Sequence, residues 1–272
     1  MNYELPSAPL SIGGVLDNAI RLYRYAIRRC WILALIYSGV LAVFTLAWIL
    51  PLTKAASATA ASRPDPMQVL AMIFSPAVLL GFLFATVFSM AVYGALVKME
   101  SALARGEPEL SIGAALLAGV RRVPGMLLAG LLFGLAFCLG TIALVIPGIY
   151  LFGKLQLWLV AMFMEDAGAL ESLKISWRLT DKRWWRASII ITVAFVLMYV
   201  FALAVSLVAN IIDLVAHVSI ANRLVINQLF SAASNIVAMP LFVAIAVVMY
   251  QDFKLRSEGG DLAARVGSLG KA

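Results

Sequence analysis

Residues 31–50 read WILALIYSGVLAVFTLAWIL, a run without a charge that Pro51 closes. At 1.5 Å per residue such a run reaches about 30 Å, the hydrocarbon thickness of a bilayer. The signal recurs along the chain: further apolar blocks cover 69–97, 124–145, 149–164, 187–212 and 224–250. Pro76 falls inside the second block, where a kink is expected, and Pro240 inside the sixth; the turn Ile146-Pro147-Gly148 divides the third from the fourth. Barrel strands would alternate over about ten residues, and these blocks do not. The expected fold is an all-α integral membrane protein with six transmembrane helices. Residues 1–256 form the membrane domain and 257–272 a flexible cytoplasmic tail.

Composition points the same way. The 272 residues are 63% hydrophobic and 13% charged, against about half and about a quarter in soluble domains. A soluble enzyme, a disordered regulator and a disulfide-rich module are excluded as readings of the whole chain. Cys30 and Cys138 lack metal-ligand spacing and are expected to pack. Glu4 stands where a signal peptide would carry positive charge. The net charge of +7 would suggest nucleic acid for a soluble protein; here its distribution sets orientation, and no nucleic-acid partner is expected.

Lys and Arg gather in four alternate segments. These are 1–30 (Arg21, Arg24, Arg28, Arg29), 98–123 (Lys98, Arg105, Arg121, Arg122), 165–187 (Lys174, Arg178, Lys182, Arg183, Arg186) and the tail (Lys254, Arg256, Arg265, Lys271). The opposite segments hold Lys54, Arg63 and Arg223, and Lys154 lies within a span. Basic loops stay inside, so both termini are expected in the cytoplasm of a bacterial inner-membrane protein.

Leu10-Ser11-Ile12-Gly13 returns as Leu110-Ser111-Ile112-Gly113, and Leu173, Ser176, Trp177, Arg178 and Leu179 echo Leu16, Ala19, Ile20, Arg21 and Leu22. Each copy precedes a pair of spans. The pattern predicts three repeats of a cytoplasmic amphipathic helix followed by a transmembrane hairpin. Asp17, Arg21, Arg24 and Arg28 share one helical face, with Asp17 and Arg21 placed to pair. Glu171, Lys174, Arg178 and Asp181 form the polar stripe of the third copy, and Leu170, Leu173 and Trp177 its apolar one. Either such helices lie in the inner interface with Arg21, Arg24, Arg28, Arg178 and Arg183 near lipid phosphates, or they present a solvated face while packing on the bundle ends. Trp184 and Trp185 read as an interfacial anchor.

Four stretches carry a family resemblance: Ile146-Pro147-Gly148-Ile149-Tyr150-Leu151 with Lys154; Glu165-Asp166 followed by Ala169–Leu173 and Ser176–Thr180; Lys182-Arg183-Trp184-Trp185-Arg186; and Tyr250-Gln251-Asp252-Phe253 followed by Arg256–Leu262. Together they resemble the bacterial multi-pass families related to the membrane domain of glycerophosphoryl diester phosphodiesterases, including YciC-like inner-membrane proteins. The resemblance implies a six-span fold. Hydrolysis in the fused members belongs to a separate soluble barrel, so no such activity carries over to this chain.

Catalytic constellations are absent from the sequence. One histidine, His217, excludes a multi-histidine metal site, and no phosphate-cradling Gly-rich loop occurs. Neither a cofactor nor a metal is expected. A dyad of His217 with Ser219 or Ser231 is the minor, hydrolase reading. Lys154 draws attention because a charge in hydrocarbon is costly. It is expected to snorkel, to pair, with Asp213 the best acid, or to touch a ligand. Asp213, His217 and Arg223 form an outer polar group that is either a solvated loop or a vestibule facing Lys154. Gly130 and Gly134 predict close packing of the third span against the fourth. The functional expectation is a non-catalytic scaffold that interacts with membrane lipids, anionic headgroups among them. A transporter or channel with a pathway near Lys154 is the alternative. Protein partners are not specified by the sequence.

Overall fold

The computed structural model describes residues 3–58, 67, 71, 74–216 and 219–269. The chain runs through α1 (Ile12–Ala58), α2 (Pro76–Ala104), α3 (Ile112–Ala143), α4 (Val145–Leu155), α5 (Trp158–Met164), α6 (Ala169–Leu179), α7 (Trp184–Ala216) and α8 (Ile220–Leu269), with no strand among the described residues. Six stretches are long and apolar enough to cross a membrane: Ile12–Ala47, Pro76–Ala104, Ile112–Ala143, Val145–Met164, Trp184–Ile212 and Asn222–Gly259. The architecture is all-α and multi-pass.

Local chemistry sets the helix starts. The Ser11 hydroxyl accepts from the Gly14 N–H at 3.0 Å, and the Ser111 hydroxyl accepts from the Ala114 N–H at 3.2 Å. Each satisfies a donor that the first helical turn leaves free. Ser75 caps α2 in the same way through Val78. Pro76 is therefore the first residue of α2 and not a kink within a span; a proline there sacrifices no helical hydrogen bond. The reversal between α3 and α4 falls at Leu144, and Pro147 sits in the first turn of α4 instead of forming the turn. Two expected boundaries also shift. The amphipathic stretches of the first two copies run without a break into the spans, as parts of α1 and α3. Helix α8 continues to Leu269, through residues expected to form a flexible tail.

The helices close a ring: α1 lies along α8, α8 along α7, α7 against α4, α4 against α3, α3 along α2 and α2 against α1. Helix α5 fills one end of it, touching α2 and α8. Core residues cluster toward that end, including Leu22, Leu33, Leu96, Met126, Met162, Ile190 and Phe253. Along the spans Phe82, Phe84, Leu131, Leu139, Phe195 and Leu207 are exposed, a surface that only lipid or another apolar partner can cover.

Small residues set the closest approaches, at positions other than those expected. A Cβ at Gly119 of α3 would collide with the Ala91 carbonyl oxygen of α2, and one at Gly94 would lie 2.9 Å from Phe163 and 3.1 Å from the Met126 sulfur. At Gly130 the nearest atom would be 3.6 Å away, and at Gly134 none lies within 4 Å. The Gly130–Gly134 step therefore does not make the tight contact; side chains of Met90 and Trp158 pack beside Gly130.

Candidate functional site

Three polar assemblies and one cavity gather at the end of the bundle that carries the basic segments. The first is built on Lys154. Helix α4 stops at Leu155 and α5 begins at Trp158, so carbonyls at the end of α4 need new partners. The hydroxyls of Ser176 and Thr180 each lie 2.9 Å from the Lys154 carbonyl oxygen, and Ser176 Oγ also accepts from the Leu157 N–H at 3.1 Å. Helix α6 thus folds back beside α5 and closes the break.

The Lys154 ammonium donates to Asp181 Oδ1 at 2.8 Å and stands 4.8 Å from the centre of the Trp177 ring. Tyr150, which meets both Trp177 and Trp184 edge-on, completes the enclosure. The Asp181 carboxyl is held below its ordinary value by the hydrogen bond and charge of Lys154. The expected pairing with Asp213 is thus replaced by one with Asp181, just beyond α6. The break after Leu155 brings α6 and its following acid to Lys154. Arg223 is exposed near the start of α8, and the side chain of Asp213 and the whole of His217 lie outside the described residues. Ser219 caps α8 by accepting from the Asn222 N–H at 3.4 Å.

The second assembly surrounds Asp252 of α8, whose side chain is wholly buried. Its carboxylate accepts from the Leu10 N–H at 2.7 Å, from Arg186 Nε and Nη2 at 3.1 and 3.0 Å, and from Arg256 Nε at 3.1 Å. Both guanidiniums also donate to the Leu10 carbonyl oxygen, at 2.6 and 2.5 Å. One acid therefore joins the segment before α1 to α7 and α8. Sequence reading quoted Asp252 and Arg186 as motif residues without assigning them this role.

The third assembly clamps the α5–α6 loop. Glu165 accepts from Tyr250 Oη at 2.8 Å and from Lys254 Nζ at 2.6 Å. Those bonds, led by that of Lys254, outweigh burial and hold its carboxyl below the usual range. Arg122 donates to the Ala167 carbonyl at 2.9 Å and pairs with Asp166. Arg105 donates to the Met164 carbonyl at 2.9 Å. Sequence reading also missed Glu100: it lies on α2, is fully buried, and neither carboxyl oxygen has a hydrogen-bond partner.

The cavity, of about 930 Å³, is lined by Tyr3, Glu4, Asn18, Arg21, Arg24, Tyr25, Arg28 and Arg29. Arg29 pairs with Glu109 and stands 4.9 Å from the Tyr25 ring centre. Among the described residues Arg21, Arg24 and Arg28 make no ion pair, and the expected Asp17–Arg21 contact is not formed. Of the remaining interfacial candidates, Arg178 and Trp185 are exposed, whereas Arg183 and Trp184 are half-buried. No family model, curated protein or solved structure matches the chain.

Proposed function

We propose that the chain is a non-catalytic multi-pass protein of the bacterial cytoplasmic membrane, with both termini inside, that holds lipids and acts as a scaffold in envelope organisation. The observation that carries this reading is the open cavity of about 930 Å³ lined by Arg21, Arg24 and Arg28, which make no ion pair among the described residues, at the same end as the basic segments. A cluster of unneutralised guanidiniums attracts phosphate. Close contact between α2 and α3 at Gly119, and of Gly94 with Phe163 and Met126, supports a packed scaffold over a conducting pathway. Exposed Leu170 and Trp177 on α6 fit an interfacial position. The threefold repeat belongs to this proposal, supported by the like caps at Ser11 and Ser111. So does kinship with the YciC-like proteins, supported by the quoted motifs.

The test is lipid analysis of protein extracted in mild detergent, combined with solute efflux from vesicles containing it. Enrichment of anionic phospholipid over the bulk membrane, with no protein-dependent efflux, is the expected result. Bulk lipid composition together with solute flux would replace the scaffold by a transporter.

A further inference from the structure

Helix α1 changes chemistry along a single exposed face. Asp17, Arg21, Arg24, Arg28, Trp31 and Leu35 are all exposed, and their spacings of three or four residues place them in one row. The row continues beside Gly39, where a Cβ would meet nothing within 4 Å, to exposed Val43. The opposite face, from Val15 through Ala19, Leu22, Ala26 and Cys30 to Leu33, is buried in the core. Thus the outward row begins with one acid, Asp17, is cationic from Arg21 to Arg28 and apolar from Trp31 onward. A phospholipid carries the same sequence of chemistry, anionic head first and acyl chain after.

The cationic part of the row is also a built cavity. The Tyr3 hydroxyl and Arg29 Nη1 are buried there without a hydrogen-bond partner, and a buried donor left unpaired is destabilising until an acceptor reaches it. Burial holds the Tyr3 phenol up to about 12 against the opposing pull of Arg21, so it remains a donor at neutral pH. Glu4 is the single acid in the lining.

We propose that α1 and the segment before it bind one anionic phospholipid, its phosphate in the arginine cavity and an acyl chain along Trp31, Leu35 and Val43. This rests on the lipid-holding reading above and gives it a site. The phosphate accepts from Arg21, Arg24 and Arg28, and reaches the unpaired donors of Tyr3 and Arg29. A soluble phosphate would use the cavity but not the apolar row, which is the reason for assigning a lipid.

Native mass spectrometry of the full chain in detergent tests the site, with phosphatidylglycerol, phosphatidylcholine and inorganic phosphate as the three probes. The expected result is one retained phosphatidylglycerol, preferred over phosphatidylcholine and not displaced by inorganic phosphate. Arg21→Gln/Arg24→Gln/Arg28→Gln should weaken retention by well over about tenfold, since a single lost charged hydrogen bond is already worth about that much. Arg24→Glu alone, at an exposed position, should act in the same direction. Lys174→Gln/Arg178→Gln on α6 should leave retention unchanged. Wild-type retention in both α1 variants overturns the site, and a loss confined to the α6 variant moves the lipid there while the lipid-holding reading stands. Displacement by inorganic phosphate overturns the lipid assignment. A wild-type chain without preference for phosphatidylglycerol ends both the site and the reading beneath it.

Discussion

Replacing Asp252 with Asn removes one charge while keeping the side chain's shape. The carboxylate takes hydrogen bonds from Leu10, Arg186 and Arg256 in a fully buried position. An amide can keep an oxygen toward one guanidinium, but its NH2 must then face a donor. Breaking a buried ion pair from one side costs about 3–5 kcal/mol. Arg186 and Arg256 retain side-chain exposures of 20% and 26%, so water relieves part of their lost pairing and the lower end, about 3 kcal/mol, applies. For a chain of this size that is a fall of about 6–12 °C in Tm. Thermal unfolding of the purified protein by tryptophan fluorescence reads the shift. Because Leu10 is bonded by the same groups, hydrogen exchange over residues 5–12 should accelerate at temperatures well below Tm. A variant within about 2 °C of wild type, with unchanged exchange in that segment, would refute the reasoning.

Further outcomes follow from the same geometry. Lys154 has 2% and Asp181 58% side-chain exposure, so Asp181→Asn, which strands a buried ammonium, should lower Tm more than Lys154→Met, which returns an acid to water; the reverse order would contradict the burial argument. Gly119→Ala drives a methyl into the Ala91 carbonyl and should cost about 1–3 kcal/mol, read by thermal unfolding, whereas Gly134→Ala should be nearly silent. Glu165, depressed by Lys254 and Tyr250, contributes stability that is complete above the ordinary glutamate value of about 4.3. That contribution is lost as pH falls through its lower folded value. Glu165→Gln should therefore flatten the acid limb of Tm against pH. Glu100→Met exchanges an unpartnered buried carboxyl for an apolar side chain and should raise stability by about 1–3 kcal/mol; a loss of that size would reveal a partner for the carboxyl.

The spans were legible because an apolar run needs no knowledge of its neighbours. Residues 31–50 fall inside α1 and 187–212 inside α7, and lipid alone decides both. The helix starts were less so: Ser75 and Pro76 form a capped beginning, but an apolar average carries straight across them. Lys154 could be recognised as a charge needing a partner; the identity of that partner depended on a break after Leu155, which Gly153 alone, inside an apolar run, does not announce. Asp252 reaches Leu10, which lies 242 residues away, and no periodicity reports such a contact. The glycines show the same limit: Gly130 and Gly134 have the familiar spacing, yet Gly119 meets the neighbouring backbone, because α3 crosses α2 nearer its first turns. The arginine row on α1 was visible as a face. The cavity was not, since the segment containing Tyr3 and Glu4 forms part of its lining.

Side-specific labelling tests most directly whether the arginine-bearing end of the bundle faces the cytoplasm, where lipid held by α1 would belong to the inner leaflet. Arg24→Cys on α1 and Lys174→Cys on α6, each made with Cys30→Ala and Cys138→Ser, are exposed to a membrane-impermeant maleimide in vesicles of known sidedness. Both positions should react in inside-out vesicles and stay protected in right-side-out ones. Reaction of the two positions from opposite sides, or of both from the outside, would contradict the placement on which the lipid-holding role depends.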